Sequence, residues 1–519
     1  TRVVNEYGRL TNTRKVSPGQ WYQYFKQRIK TPKVDHVAES IPVVQEIPNW
    51  LKQLNVFITR DVLSKLANKQ YLIINLFAAP LLALFIGFMI KYFDSTVESI
   101  TPTYNFYENS NIPVYFFISV VVSLFFGMIM SAEEIFRDRK ILKREEFLHL
   151  SRSSYLVSKV TVMFSISAIQ TVLYILIGNS ILEIPLTEIR YWAILFSCSC
   201  WANMVGLNIS ASFDSAVTIY ILIPLVIIPN LLLSGVVIPF DKFNPMVGKP
   251  TGVPVLGEMM PSRWAYEAFM VTQFKDNPFQ KSFYPIDQKI KDADYRKLYY
   301  IPELEKKVSY CFNHRSEWQN RNAKKLESSL NLLQNEIRNE LKYAKQLNFP
   351  EVNRLAIGKI DSTVLEKTSK FLQELKKFYA NRTKSADEER ERLIASRTNT
   401  SANLLQYETE RRKLTNKAVI EAVENRNAVK RIVEFKGDLI QKIYPIYIQE
   451  HKPSHFFDFS ANLYQPTKYF AGRDIYTIYF NIAVIWFMTG LFFITLYFDV
   501  LKRLIKRLEG SRKYRVKEK

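Results

Sequence analysis

PVYFFISVVVSLFFGMIMSAEEIFRDRKILKREE, residues 113–146, decides the fold. Its first eighteen residues carry no charge, whereas ten of the fourteen from Glu133 to Glu146 are charged. An uncharged run of that length suits the ~20 apolar residues needed to cross a ~30 Å hydrocarbon core. The stretch therefore predicts a crossing that emerges into a short mixed-charge helix. A second apolar run follows at 157–178, so the charged helix is held between two crossings. Comparable runs recur at 71–90, 191–212, 217–238 and 477–498, six in all. The mean hydropathy near zero of this 519-residue chain averages these runs with one large polar region.

The formal charge of +22 would suit a nucleic-acid partner, but its placement argues for topology instead. Residues 1–69 hold twelve Lys/Arg against five Asp/Glu, 131–160 seven against five, and 501–519 nine against two. The loop 94–111 holds Asp94, Glu98 and Glu108 and no basic residue. Excess Lys/Arg marks the cytoplasmic side, so both termini and the 131–160 loop are expected inside, consistent with six crossings. The chain opens on Thr1 without a visible signal peptide and reads as the carboxy-terminal part of something longer.

Catalytic patterns are missing. The nearest approach to a phosphate loop, Gly248-Lys249, runs into Pro250 and has Phe243 where the first glycine belongs. His451 and His455 are four apart, but Pro453 between them spoils a helical ligand pair, so no metal site is expected. Cys198 and Cys200 sit in an apolar run and Cys311 is isolated, which offers no disulfide framework.

The pattern divides the chain into a connector (1–48), an amphipathic helix (49–70), five crossings (71–238) with a charged segment at 133–156, a hydrophilic insertion (239–474), a sixth crossing (475–500) and a basic tail (501–519). In 49–70, Trp50, Leu51, Leu54, Phe57, Ile58, Val62 and Leu66 recur at helical spacing, with Lys52, Gln53, Arg60 and Lys65 largely off that stripe. Such a helix is expected along the inner membrane surface with its basic face towards anionic headgroups. By alternation the insertion lies outside. Leu326, Leu330, Leu333, Ile337, Leu341 and Ala344 step by three and four, close to a heptad seam, until Asn348-Phe-Pro350 interrupts it. Two further long helices are expected, around Val364–Leu375 and around 404–423. The fold class is mainly α: six transmembrane helices with a large, partly coiled-coil, extracytoplasmic helical domain between the fifth and sixth.

Residues Gln53–Phe93, EEIFRDRKILKREEFLHLSRSSYLVSK (133–159), IPLVIIPNLLLSGVVIPFDKFNP (223–245) and PSRWAYEAF (261–269) together resemble the permease half of ABC-2-type exporters, the type V exporter fold. The resemblance is nearest to the G-subfamily (White-type) half-transporters and covers most of 49–270 and 470–505. It implies that the charged segment is a coupling helix receiving the stroke of an ATP-binding domain, fused upstream or on a separate chain, which would bring the ATP and Mg. It places Glu133, Asp138, Arg139 and Glu145 at charged coupling positions. It implies a substrate cavity between the two subunits of a homodimer at Ser123, Phe126, Ile228 and Leu231, with an apolar plug at Val236 and Val237. It says nothing of 275–465, a candidate surface for an external protein partner.

The leading expectation is the membrane-spanning part of an ATP-driven exporter of lipidic or amphipathic cargo in a bacterial inner membrane, working by alternating access. A mechanotransmitter moving its external domain without cargo, and a membrane-anchored scaffold, remain rival readings. The scarcity of charge inside the crossings argues against an ion channel.

Overall fold

Each apolar run folds as a helix, but the runs differ in how they are used. The computed structural model describes residues 2–30, 49–94, 103–145, 150–185, 188–244, 246, 248, 252–318, 323–448, 459 and 461–517. Glu146, Lys249, Pro250, His451 and His455, which entered the sequence reading, lie outside the described residues.

Contacts divide the chain into Thr1–Pro48 and Asn49–Lys519. The first unit holds an antiparallel hairpin, β1 (Arg2–Val4) with β2 (Leu10–Arg14), and α1 (Pro18–Arg28). A capping box starts α1: the Ser17 hydroxyl accepts from the Gln20 amide, and the Gln20 side chain accepts from the Ser17 amide.

The second unit begins with α2 (Trp50–Ala67) and α3 (Lys69–Ile90), then the short ladder β3 (Phe93–Asp94) with β4 (Thr103–Tyr104). It continues through α4 (Ile112–Ala132), α5 (Glu134–Glu145), α6 (Arg152–Leu182), α7 (Glu188–Ser212) and α8 (Ala216–Leu232). After a long insertion come α17 (Thr477–Tyr497) and α18 (Val500–Lys517). Five of these, α3, α4, α6, α7 and α17, are long and apolar enough to cross a membrane.

The most apolar part of α7 is 89% buried and that of α3 only 28%, so α7 is central and α3 peripheral. Centrality explains why the most polar run is tolerated. The Asn203 amide donates to Ser167 Oγ at 2.8 Å. The Asn208 amide donates to the Phe492 carbonyl at 2.8 Å, and its oxygen accepts from the Thr495 hydroxyl at 3.0 Å. These groups thus bond to neighbouring helices instead of meeting lipid. Helices α4 and α7 approach closely through Gly127 and Gly206. A Cβ on Gly127 would stand 2.6 Å from the Ser199 carbonyl, and one on Gly206 would collide with the Ser131 hydroxyl.

The fifth run departs from the expected 217–238. Helix α8 has 17 residues and stops at Leu232, so it is about 26 Å long at 1.5 Å per residue. Pro224 and Pro229 remove two amide donors from it, and Gly235 (φ +79°) then takes a left-handed turn with the Phe240 ring against it. The chain breaks from helix six residues early because its own sequence supplies the breakers.

The insertion contains α9 (Val255–Glu258), α10 (Pro261–Lys275), α11 (Pro278–Tyr295), a π-helical turn (Arg296–Tyr300), α12 (Ile301–Asn313), α13 (Lys324–Tyr343), α14 (Ser362–Arg397), α15 (Ser401–Leu414) and α16 (Lys417–Val423). Two hairpins follow, β5 (Ile432–Phe435) with β6 (Asp438–Gln441) and β7 (Thr467–Phe470) with β8 (Arg473–Tyr476). Leu326, Leu330, Leu333 and Ile337 are fully buried on α13, but in a core shared with α11, α12, α14 and β6. The expected helix over 404–423 is two helices. Thr415 closes the first, and Asn416 caps the second by accepting from the Val419 amide at 2.9 Å. Within α15, Leu404 and Leu405 are exposed.

Candidate functional site

At one end of the helical bundle, α2, α5 and the start of α6 meet over a small apolar cluster: Phe57, Ile135, Tyr155, Leu156, Met204, Leu207 and Leu496. Helix α2 presents Gln53, Phe57, Asp61 and Lys65 to this junction, a stripe of four-residue steps. Its apolar residues Leu51, Val56, Leu63 and Leu66 are all more than half exposed. The helix is therefore rolled relative to the expected orientation. Lys65 is only 6% exposed and faces protein beside Phe57, while Leu51, Val62 and Leu66 of the expected apolar stripe face outward. The reason is the charge behind it.

Above the cluster, five ionised side chains close on one another. Lys159 Nζ lies 2.6 Å from Asp61, 3.1 Å from Glu134 and 2.8 Å from Asp138. Lys65 Nζ lies 2.8 Å from Glu134 and 3.2 Å from Asp61. The Tyr155 hydroxyl donates to Asp138 at 3.1 Å. Removing charges from water is costly unless each is paired, and here each ammonium faces at least two carboxylates. Burial alone would raise the Asp61 carboxyl, but Lys159 and Lys65 beside it hold it below the ordinary carboxylate range.

The periphery ties α5 down further. Arg139 pairs with Asp214 and donates to the carbonyls of Ser210, Ala211 and Phe213 at 2.9–3.1 Å, capping the end of α7. Arg60 grips both oxygens of Glu145 at 3.0 and 3.1 Å. Glu133 accepts from the Tyr220 hydroxyl at 2.8 Å, reaching α8. All four expected coupling residues are thus engaged with neighbouring elements. At the centre of the network, Asp61, Glu134 and Lys159 carry no expected role, and Lys65, expected on a face towards headgroups, is buried among carboxylates instead. Lys159, an ionisable residue at the head of an apolar run, was the available signal.

With its acids turned inward or paired, α5 exposes Arg137, Lys140, Ile141, Lys143 and Arg144. The segment that reads as mixed charge in sequence has a basic outer face. Short ionic contacts connect α5 to α2, to α6 and to the end of α7.

Residues 52–274 match the family model described as ABC-2 type transporter. That segment is an ABC-2 type transporter membrane domain. No curated protein matches the chain. The match runs from α2 to α10 and contains the whole charge network. Together with the five apolar helices of membrane-crossing length, four inside the match and α17 beyond it, this makes the chain an integral membrane protein, and such a domain implies the membrane transport component of an ABC transporter.

Within the ABC-2 domain the four expected cavity residues are not gathered in one place. Ser123 is buried and donates to the Leu195 carbonyl at 2.7 Å, in the α4–α7 seam. Ser123 and Phe126 line a crevice of about 10 Å³ among α3, α4, α6 and α7 that includes neither Ile228 nor Leu231. That is room for one water at most. Ile228 is 51% exposed on α8, and Leu231 packs at the edge of the core. At the expected plug, Val237 is exposed and Val236 half-buried, beyond the Ser234 hydroxyl that donates to the Leu231 carbonyl.

A second buried charge cluster lies where the ABC-2 domain meets the returning chain. Glu267 on α10 accepts from Lys468 on β7 at 2.5 Å, from the Tyr464 amide at 2.6 Å and from the Asn481 amide on α17 at 3.0 Å. Arg263 lies 3.4 Å from Glu267, stacks on the Trp264 ring and donates to the Ala461 carbonyl. Burial and the nearby Arg263 push the Lys468 ammonium down to about 8 in spite of Glu267.

Proposed function

We propose that the chain is the membrane-spanning permease of an ATP-driven exporter, with the α2–α5–α6 junction as the point where an ATPase domain delivers its stroke. The observation that carries this reading is the basic outer face of α5, mounted on a buried five-member ion network. The face suits an acidic docking surface, and the network behind it ties α5 to α2, which leads into the first span, and to α6, the third. ATP and Mg would be held by that ATPase domain, fused upstream or on another chain. The reading includes six crossings, with α8 completing its passage through the turn at 233–238, and the 239–474 insertion on the side opposite α5.

A crevice of about 10 Å³ leaves no room for cargo at Ser123 and Phe126 inside one protomer. Lipidic or amphipathic cargo would accordingly pass along the exposed apolar face of α8, which includes Ile228, closed by a second copy. The same observation favours a second reading, in which the stroke moves the insertion and nothing crosses. The test is ATP hydrolysis by the natively extracted complex, compared with a Lys140→Glu/Lys143→Glu/Arg144→Glu variant, with lipid flipping in proteoliposomes as the second readout. Hydrolysis that falls at least tenfold in the variant supports the docking role. No hydrolysis, and no nucleotide-binding chain recovered, would overturn both readings. Hydrolysis without flipping selects the second.

A further inference from the structure

Helix α18 begins two residues after α17 ends, across a left-handed turn at Asp499 (φ +50°). On it Val500, Leu504 and Leu508 follow four-residue steps and are 38%, 50% and 71% exposed, forming an outward apolar stripe. Lys502, Arg503, Lys506 and Arg507 occupy the other half of the same helical wheel. None of these four is ion-paired among the described residues. Nearby, Arg152 at the head of α6 pairs with Asp499 at 2.6 Å, and Arg139 is fixed on the end of α7. The cations crowd one another. Burial, then Arg139, Lys506 and Arg152, hold Lys502 below its ordinary value against the single opposing pull of Asp499. Beyond these residues the helix sequence adds Arg512, Lys513, Arg515 and Lys517 against Glu509 alone.

A cationic half and an apolar half on one helix, attached directly to a membrane span, is the arrangement of an interfacial helix. Helix α2 reaches the same end of the bundle. Its Trp50 donates to Ser153 Oγ at 2.9 Å, one residue from Arg152, and it too turns apolar residues outward.

We propose that α18, with Arg152 at its root, is a binding site for anionic phospholipid headgroups. Leu504 and Leu508 enter the acyl boundary, and Lys502, Arg503, Lys506 and Arg507 hold headgroup phosphates. An acidic protein surface would match the charge but would leave the apolar stripe without a partner, so lipid is the occupant the surface fits. The site does not depend on the exporter reading, since it requires only that α17 spans the membrane.

The test uses the full chain in mixed micelles with fluorescent phosphatidylglycerol or phosphatidylcholine. Wild type is expected to bind phosphatidylglycerol at least tenfold more tightly. Each basic residue near a charged surface is worth roughly fivefold, so Lys502→Gln/Lys506→Gln/Arg507→Gln should weaken phosphatidylglycerol binding roughly 100-fold. Lys502→Arg/Lys506→Arg should keep the preference, which separates charge from folding. Leu504→Ser/Leu508→Ser should weaken both lipids. Equal binding of the two lipids by wild type would overturn the proposal. So would displacement of phosphatidylglycerol by millimolar inorganic phosphate, which would mark a free-anion site. Unchanged lipid binding in the glutamine variant, with loss of an associated protein chain, would overturn it in favour of a protein dock.

Discussion

Replacing Lys159 by Met removes the one cation that touches all three carboxylates of the junction, at 2.6, 3.1 and 2.8 Å. Methionine preserves the length and apolar stem, so the change isolates the charge. Lys65 still faces Asp61 and Glu134, but Asp138 loses its ionic partner, and one ammonium remains beside three acids, two of which it touches. Breaking a buried ion pair from one side costs about 3–5 kcal/mol. The Asp138 side chain is 17% exposed and can take up water, which places the expected cost near the lower end. The loss is local, so it should be read as backbone hydrogen exchange in α2 and α5, with the insertion as an internal control. At about 1.4 kcal/mol per tenfold, exchange there should quicken roughly 100- to 1,000-fold while α14 is unchanged. Adding Glu134→Gln removes one surplus negative charge and should restore part of the protection. If Lys159→Met leaves exchange in α2 and α5 at the wild-type rate, the ions do not hold the junction and the transmission argument fails with them. Equal quickening in α14 would refute it differently, by showing global unfolding.

Two other outcomes follow from the contacts around the insertion. Lys468 sits well below the ordinary lysine value, so between about 8 and 10.5 the unfolded chain binds more protons at this site than the folded one, and its contribution to stability rises with pH. Protection of α10, corrected for intrinsic exchange, should increase across that window in wild type and stay flat in Lys468→Met. Asn416 donates to the Phe106 and Asn109 carbonyls at 2.7 and 2.8 Å while capping α16. Asn416→Ala should cost about 1 kcal/mol for the cap and about 1–3 kcal/mol for the buried carbonyls left unpaired, seen as a lowered melting temperature of the purified chain.

The sequence was most informative where length alone governs. The runs at 71–90, 113–132, 157–178 and 191–212 each fall within a helix of the structure, and that at 477–498 overruns α17 by its last residue alone, because uncharged stretches of ~20 residues have few alternatives. Orientation was harder to read. On α2 the i, i+4 series Gln53, Phe57, Asp61, Lys65 is plain in the letters, but the usual rule turns apolar side chains inward. Beside a bilayer that preference weakens, and a counter-charge 98 residues away at Lys159 decides which face is buried. The charge network was illegible for the same reason: its members come from three helices, and spacing within one helix does not report on another. Helix α13 shows a related limit. Its heptad-like series marks a buried face, and the surrounding elements, not the repeat, determine whether that face joins one partner or several.

The buried cluster at Arg263, Glu267 and Lys468 bears on how this chain could vary. Glu267 and Lys468 are 201 residues apart, yet touch. Between them, α12, α13 and α14 pack in a core of their own, whereas Asn416 at the head of α16 reaches back to the Phe106 and Asn109 carbonyls, so only the outer part is nearly invisible to the spans. Doubling a flexible loop raises its closure cost by only about 0.6 kcal/mol. The outer core around α12–α14 is therefore interchangeable space for natural insertion or deliberate grafting, provided that the three charges at the gate and the Asn416 contacts are kept.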